Sequence, residues 1–183
     1  RQIILIPDLL NAKTIVNVRN LDLVYYVVVG PTDEAAENHL QFQHEYLHFL
    51  IDPLIEKFGM ALIEHGDLLD LAHAQPQVNP QFQNKFFLLV AESLIETVLL
   101  RLHEPDNTDR ELIRLFRQGL IFAPYFSREL ERYEMETELI SFPSYVETLL
   151  DGIENPLIEE DAKSITALES EIRGAELREL EAQ

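Results

Sequence analysis

Cysteine is absent from this 183-residue chain, which excludes disulfides, iron–sulfur clusters and cysteine-ligated structural zinc together. Any zinc has to be held by histidine and carboxylate. The absence assigns no compartment, because a compact domain can do without disulfides in either redox environment. Positive charge is scarce as well. Fourteen Lys and Arg stand against 33 Asp and Glu, a formal net charge of −19, so nucleic-acid phosphates and anionic membrane surfaces are repelled rather than bound. No apolar run approaches the roughly 20 residues needed to span a bilayer, and the chain reads as soluble, with no membrane insertion. The apolar run in Arg1–Pro7 is too short for a secretory leader and no small-residue cleavage site follows. That pattern fits a mature or trimmed form, and an extracytoplasmic location is left open. No internal repeat or low-complexity tract is present.

Apolar residues make up 46% of the chain, enough for a packed core at a length that suits one domain, residues 1–183. The expected class is α+β and mostly helical, with a small N-terminal antiparallel sheet over 1–31 and helices over 32–103 and 104–183. Gln2–Ile6, stopped by Pro7, and the alternating Lys13–Arg19 read as strands, with Asn20 and Asp22 in a turn. Leu23–Val29 is the strongest strand signal, filled by β-branched and aromatic residues and closed by Gly30-Pro31. Tyr25 and Tyr26 then point to opposite faces, where core packing suits them.

Thr32 or Asp33 is placed to cap a helix running to about Ile51, with Pro53 bending or ending it. A second helical stretch is expected from Leu54 to about Ala74 with a break near Gly59, then a polar double-proline loop over Gln75–Pro80. Helical spacing recurs from Gln81 to about His103, and again from Thr108 to Gly119. Ala123 starts a Glu-rich helix bearing Glu129, Glu131, Glu134, Glu136 and Glu138; Ser144 to about Leu150 makes a short one between Pro143 and Pro156. In Leu157–Gln183 the apolar residues Ile158, Ala162, Ile165, Leu168, Ile172 and Ala175 form a stripe that packs on its own domain or, alternatively, on a second copy. His39, His65, His73 and His103 stand singly and read as surface or helix-end residues.

The chemistry concentrates in His44-Glu45-Tyr46-Leu47-His48. Residues four apart share a helical face, so both imidazoles can reach one metal with Glu45 beside them, an arrangement suited to zinc-activated water with a general base. A catalytic zinc usually takes three protein ligands plus water, so a third is required. On the helix containing Val90-Ala-Glu-Ser-Leu-Ile-Glu-Thr-Val98, Glu92 and Glu96 lie four apart on one face among core-like neighbours. Buried carboxylates there need a partner, and a metal or a metal-bound imidazole is an adequate one.

With these residues the chain resembles the zincin metallopeptidases over roughly residues 22–103, and within them the gluzincin branch to which thermolysin belongs. The resemblance implies a zincin-like helical core, with His44, His48 and Glu92 as zinc ligands. Glu45 would be the general base, and Glu96 the acidic residue that orients a ligand imidazole. It also implies an edge strand before the HExxH helix that pairs with substrate backbone, the place taken here by Leu23–Val29 and hence by Val27, Val28 and Val29. The chain departs from the branch at Ala91, where Asn often precedes the ligand Glu, and the third-His extension of metzincins is missing after Phe49. Tyr125, Arg128 and Tyr133 are candidates by residue type for stabilising an oxyanion.

The function implied is zinc-dependent hydrolysis of peptide bonds in a peptide or protein substrate. The alternative is a catalytically inactive zincin-like binding or scaffold protein; a helical interaction module without metal is a third reading. Oligomeric state is not legible.

Overall fold

The computed structural model describes residues 2–10, 12, 16–21, 24–31, 35–82, 85–103, 107–136 and 139–181. The expected helix cap at Thr32 or Asp33, the turn at Asp22, and the first residues of the Lys13 and Leu23 strands lie outside them, as does Glu138. The chain packs as two compact units, Arg1–Pro53 and Leu54–Gln183.

The first unit is built on three strands, β1 (Gln2–Pro7), β2 (Val16–Leu21) and β3 (Val24–Val29), in the order β1-β3-β2. The sheet is mixed rather than antiparallel. β2 pairs antiparallel with β3, from Leu21↔Val24 to Val16↔Val29, while β1 pairs parallel with it, from Gln2↔Val24 to Pro7↔Val29. Asn20, expected in a turn, sits in the ladder opposite Tyr25. The period of two sorts one face cleanly. Val16, Tyr25 and Val27 are buried on it with Val18 and Val29 beside them, and Phe42, Tyr46, Phe49 and Leu50 of the following helix pack against it.

That helix, α1 (Ala35–Leu62), contains Pro53 in its interior and is not ended by it. Proline removes one ladder hydrogen bond and crowds the preceding turn; here the helix carries on across it, and the boundary between units falls at the same residue. The break comes later than Gly59. A 3-10 turn, Ile63–His65, and Gly66 separate α1 from α2 (Leu68–His73).

The second unit continues with α3 (Phe86–His103), α4 (Thr108–Arg117), α5 (Ala123–Glu136), α6 (Phe142–Asp151) and α7 (Asn155–Glu181). α3 starts five residues later than expected because Pro80–Phe82 forms a separate 3-10 turn. Its Leu89, Val90, Leu94 and Ile95 are buried, and α3 packs on α5 and α4. Phe122 meets Phe86 edge-on at 5.7 Å and Phe126 at 6.0 Å, which gives the core large aromatic contacts. α4 ends where Gly119 turns to φ 93°, with Leu120 N–H donating to Leu115 C=O. A Cβ there would lie 2.8 Å from Val78 Cγ2. The double-proline loop is tied to this end by Gln77 N–H to Arg117 C=O and Asn79 N–H to Gln118 C=O. α7 docks on α4 and α5 of its own unit, burying Ile158 and Ile165. No helix among the described residues is long and apolar enough to cross a membrane.

Candidate metal centre

The packing of α1 on the sheet decides which of its side chains stay available. Phe42, Tyr46 and Phe49 recur at helical spacing and face the strands, where Tyr25 stacks on Phe49 at 4.6 Å and meets Tyr46 edge-on at 6.0 Å. At 100° per residue, His44, His48 and Asp52 fall about a third of a turn round from that apolar face. All three are half-buried, and so is Glu45, which lies between the two faces.

The two imidazoles converge. Nε2 of His44 and Nε2 of His48 are 3.1 Å apart, with ring centroids at 4.8 Å and planes at 69°. Two nitrogens bound to one tetrahedral zinc at 2.0–2.1 Å would stand about 3.3 Å apart. The pair therefore fits a shared metal ion without rearrangement of α1. His48 turns its other nitrogen outward, Nδ1 lying 3.0 Å from Oδ1 and 3.2 Å from Oδ2 of Asp52. Asp52 escaped the sequence reading, although the signal was there: it stands four residues after the second histidine, the spacing that stacks side chains along a helix. The carboxylate seen against the His48 imidazole is Asp52; the resemblance assigns Glu96 to a ligand imidazole.

Beneath the motif the phenol of Tyr25 donates to the backbone carbonyl of Glu45. Burial, and after it the charges of Glu45 and Asp52, push the Tyr25 hydroxyl far above its ordinary range. It stays a neutral donor, and it pins the residue proposed as base to the central strand.

In the second unit, Glu92 and Glu96 occupy one stripe of α3, half-buried while Ala91, Ser93, Leu94, Ile95 and Thr97 around them are buried. The shared face inferred from their spacing is the one observed. Thr97 Oγ1 donates to Ser93 C=O at 2.6 Å, which keeps a buried hydroxyl satisfied inside the helix.

Two expectations are corrected. β3 cannot offer Val27, Val28 and Val29 to a substrate strand, because it is the central strand, with Leu5, Ile6 and Pro7 paired on one side and Val18, Asn17 and Val16 on the other. Among the described residues the outer strands of the sheet are β1 and β2. Nor is Tyr125 an oxyanion donor. It is 3% exposed and its hydroxyl donates to Leu149 C=O at 2.8 Å, burial pushing its titration far upward. Arg128 is held by both oxygens of Asp161, at 2.7 and 3.2 Å, and Tyr133 packs its ring on Phe142 and Tyr145. Of the single histidines, His39 is exposed, His73 and His103 close their helices, and His65 Nδ1 meets Asn155 Oδ1 at 2.7 Å.

Compared with models of protein families, with curated proteins and with solved structures, the chain has no match.

Proposed function

We propose that this chain is a zinc-dependent peptide hydrolase in which His44, His48 and Glu92 hold the metal and Glu45 is the general base. The observation that carries the reading is the convergence of the two Nε2 atoms at 3.1 Å on a half-buried face of α1, with Nδ1 of His48 already oriented by a carboxylate. Glu92 is the third ligand that the resemblance implies, and two imidazoles with one carboxylate are a donor set that suits a catalytic zinc.

Zinc held by such a set supplies Lewis acidity, which brings water toward a neutral pKa and polarises a carbonyl. The chain's own residues do the rest. The Glu45 carboxylate, one residue from a ligand and held through its backbone by Tyr25, accepts the proton of the attacking water. It then returns that proton to the nitrogen of the leaving amine. His44 and His48 fix the position of the reaction on α1, and the apolar contacts of Phe42, Tyr46 and Phe49 with the sheet hold that face of the helix in place.

A second reading, zinc binding without turnover, is favoured by the engagement of Tyr125 and Arg128 in structural bonds. Zinc content by mass spectrometry and hydrolysis of a mixed peptide library separate the two. The hydrolase reading expects one zinc per chain and cleavage that is lost on chelation and regained with zinc. Zinc without cleavage leaves the second reading, and no zinc after reconstitution removes both. Glu92→Ala is expected to weaken zinc binding; unchanged stoichiometry in a chelator titration would move the third ligand elsewhere.

A further inference from the structure

We infer that Asp52 is a positioning residue of this metal site, holding His48 in the tautomer whose lone pair lies on Nε2, the atom that would ligate. The inference rests on the zinc reading above and adds a residue that the HExxH pattern does not contain. A neutral imidazole carries one N–H, and an ionised carboxylate only accepts. With both oxygens of Asp52 at 3.0 and 3.2 Å from Nδ1, the proton of His48 belongs on Nδ1. The opposite tautomer would set a nitrogen lone pair against a carboxylate. Nε2 of His48 is then the acceptor in the 3.1 Å contact with His44, whose Nε2 carries the hydrogen in the metal-free chain. Both Nε2 lone pairs can face one metal ion once the hydrogen of His44 moves to its own Nδ1, the tautomer that ligation through Nε2 requires.

The arrangement is local to one helix. His44, His48 and Asp52 follow one another at intervals of four, so a single face of α1 carries one ligand, the next ligand and its orienting carboxylate. Burial runs in the same order of need. The His48 side chain is 18% exposed and that of Asp52 46%, so the imidazole is the more shielded of the two.

The test uses the full chain. Zinc affinity is measured by competition with a chromophoric chelator for the wild type, Asp52→Ala and Asp52→Asn, and the tautomer of His48 is read by long-range 15N–1H correlation in the metal-free wild type. Asp52→Ala is expected to weaken zinc binding about 10- to 100-fold. Asp52→Asn, whose amide oxygen still accepts at the same place, should lose less, and wild-type His48 should carry its hydrogen on Nδ1. Equal affinity in Asp52→Ala and wild type, or a hydrogen on Nε2 of wild-type His48, overturns the positioning role and leaves the zinc site standing. A wild-type chain that takes up no zinc overturns both. Because the tautomer is read in the wild type, a variant that fails to fold does not remove the test.

Discussion

In the first 53 residues a small core of Val16, Tyr25, Val27 and Phe49 supports a helix whose titratable side chains, His44, Glu45, His48 and Asp52, stand half-buried beside the face that packs on the sheet. In the remaining chain the same residue types serve another purpose. Tyr125 donates to Leu149 C=O and Tyr145 to Glu129 C=O, Arg128 grips Asp161, Arg117 grips Glu169, and Arg101 meets both oxygens of Glu134 at 2.5 and 2.6 Å. These bonds tie one helix to the next. The comparison teaches that a reactive residue type says little until its hydrogen bonds are counted: a tyrosine whose hydroxyl closes a buried carbonyl is structure, whereas two imidazoles with Nε2 atoms 3.1 Å apart are spaced as a shared metal ion would require.

The sharpest way to break that contrast is Glu45→Gln. Turnover on a cleavable peptide should fall about 10²- to 10⁴-fold while zinc content stays at the wild-type level; a variant with full kcat/KM would remove the chemistry from α1.

Next in size comes a pair of equal chemical changes, one per unit. Tyr125→Phe strands the buried Leu149 carbonyl and should lower unfolding stability by about 1–3 kcal/mol, with kcat per folded molecule unchanged. Tyr25→Phe frees the Glu45 carbonyl from the sheet, costs about 1 kcal/mol, and should lower kcat. Urea unfolding and steady-state kinetics on both variants check this, and a kcat that falls only in Tyr125→Phe would reverse the assignment of roles.

The smallest effect is expected from Glu134→Gln. The Arg101 guanidinium, chiefly through its hydrogen bonds, holds the Glu134 carboxyl below its ordinary value. A depressed acid contributes stability above the unfolded-state pKa, and that contribution is lost as pH falls through the depressed folded value. Since the Glu134 side chain is 51% exposed, solvent screens the pair and the contribution is slight. Melting temperatures of wild type and variant should differ slightly at neutral pH and converge in acid; a gap that persists at low pH would show that the carboxylate charge is not the cause.

Much of this was legible in advance for a reason that can be stated residue by residue. Helical spacing of apolar positions marked α3, α4 and α7, and the shared face of Glu92 and Glu96 followed from a spacing of four. Pro53 misled because proline's cost is local, about 3 kcal/mol in a helix interior, and a helix packed on both sides of it can absorb that cost. Gly59 misled likewise, since helix propensity is a weak prior that packing overrides. Asp52 stands one helical turn beyond His48 and outside the HExxH pattern, and its contact with the imidazole is what marks it.

What the sequence determined by itself is what depends on near neighbours along the chain: the mostly helical class, the β-branched strand at Val24–Val29, and the pairing of His44 with His48 on one face of α1. What only the tertiary structure decided depends on partners far away in sequence. The parallel seat of β1 beside β3, which takes both edges of β3 out of use, could not be read from the strands, because a period of two fixes which face a residue joins and leaves the neighbouring strand open. The same holds for Tyr25 on the Glu45 carbonyl and for Tyr125 on Leu149. A hydroxyl finds its acceptor only when the chain has folded around it.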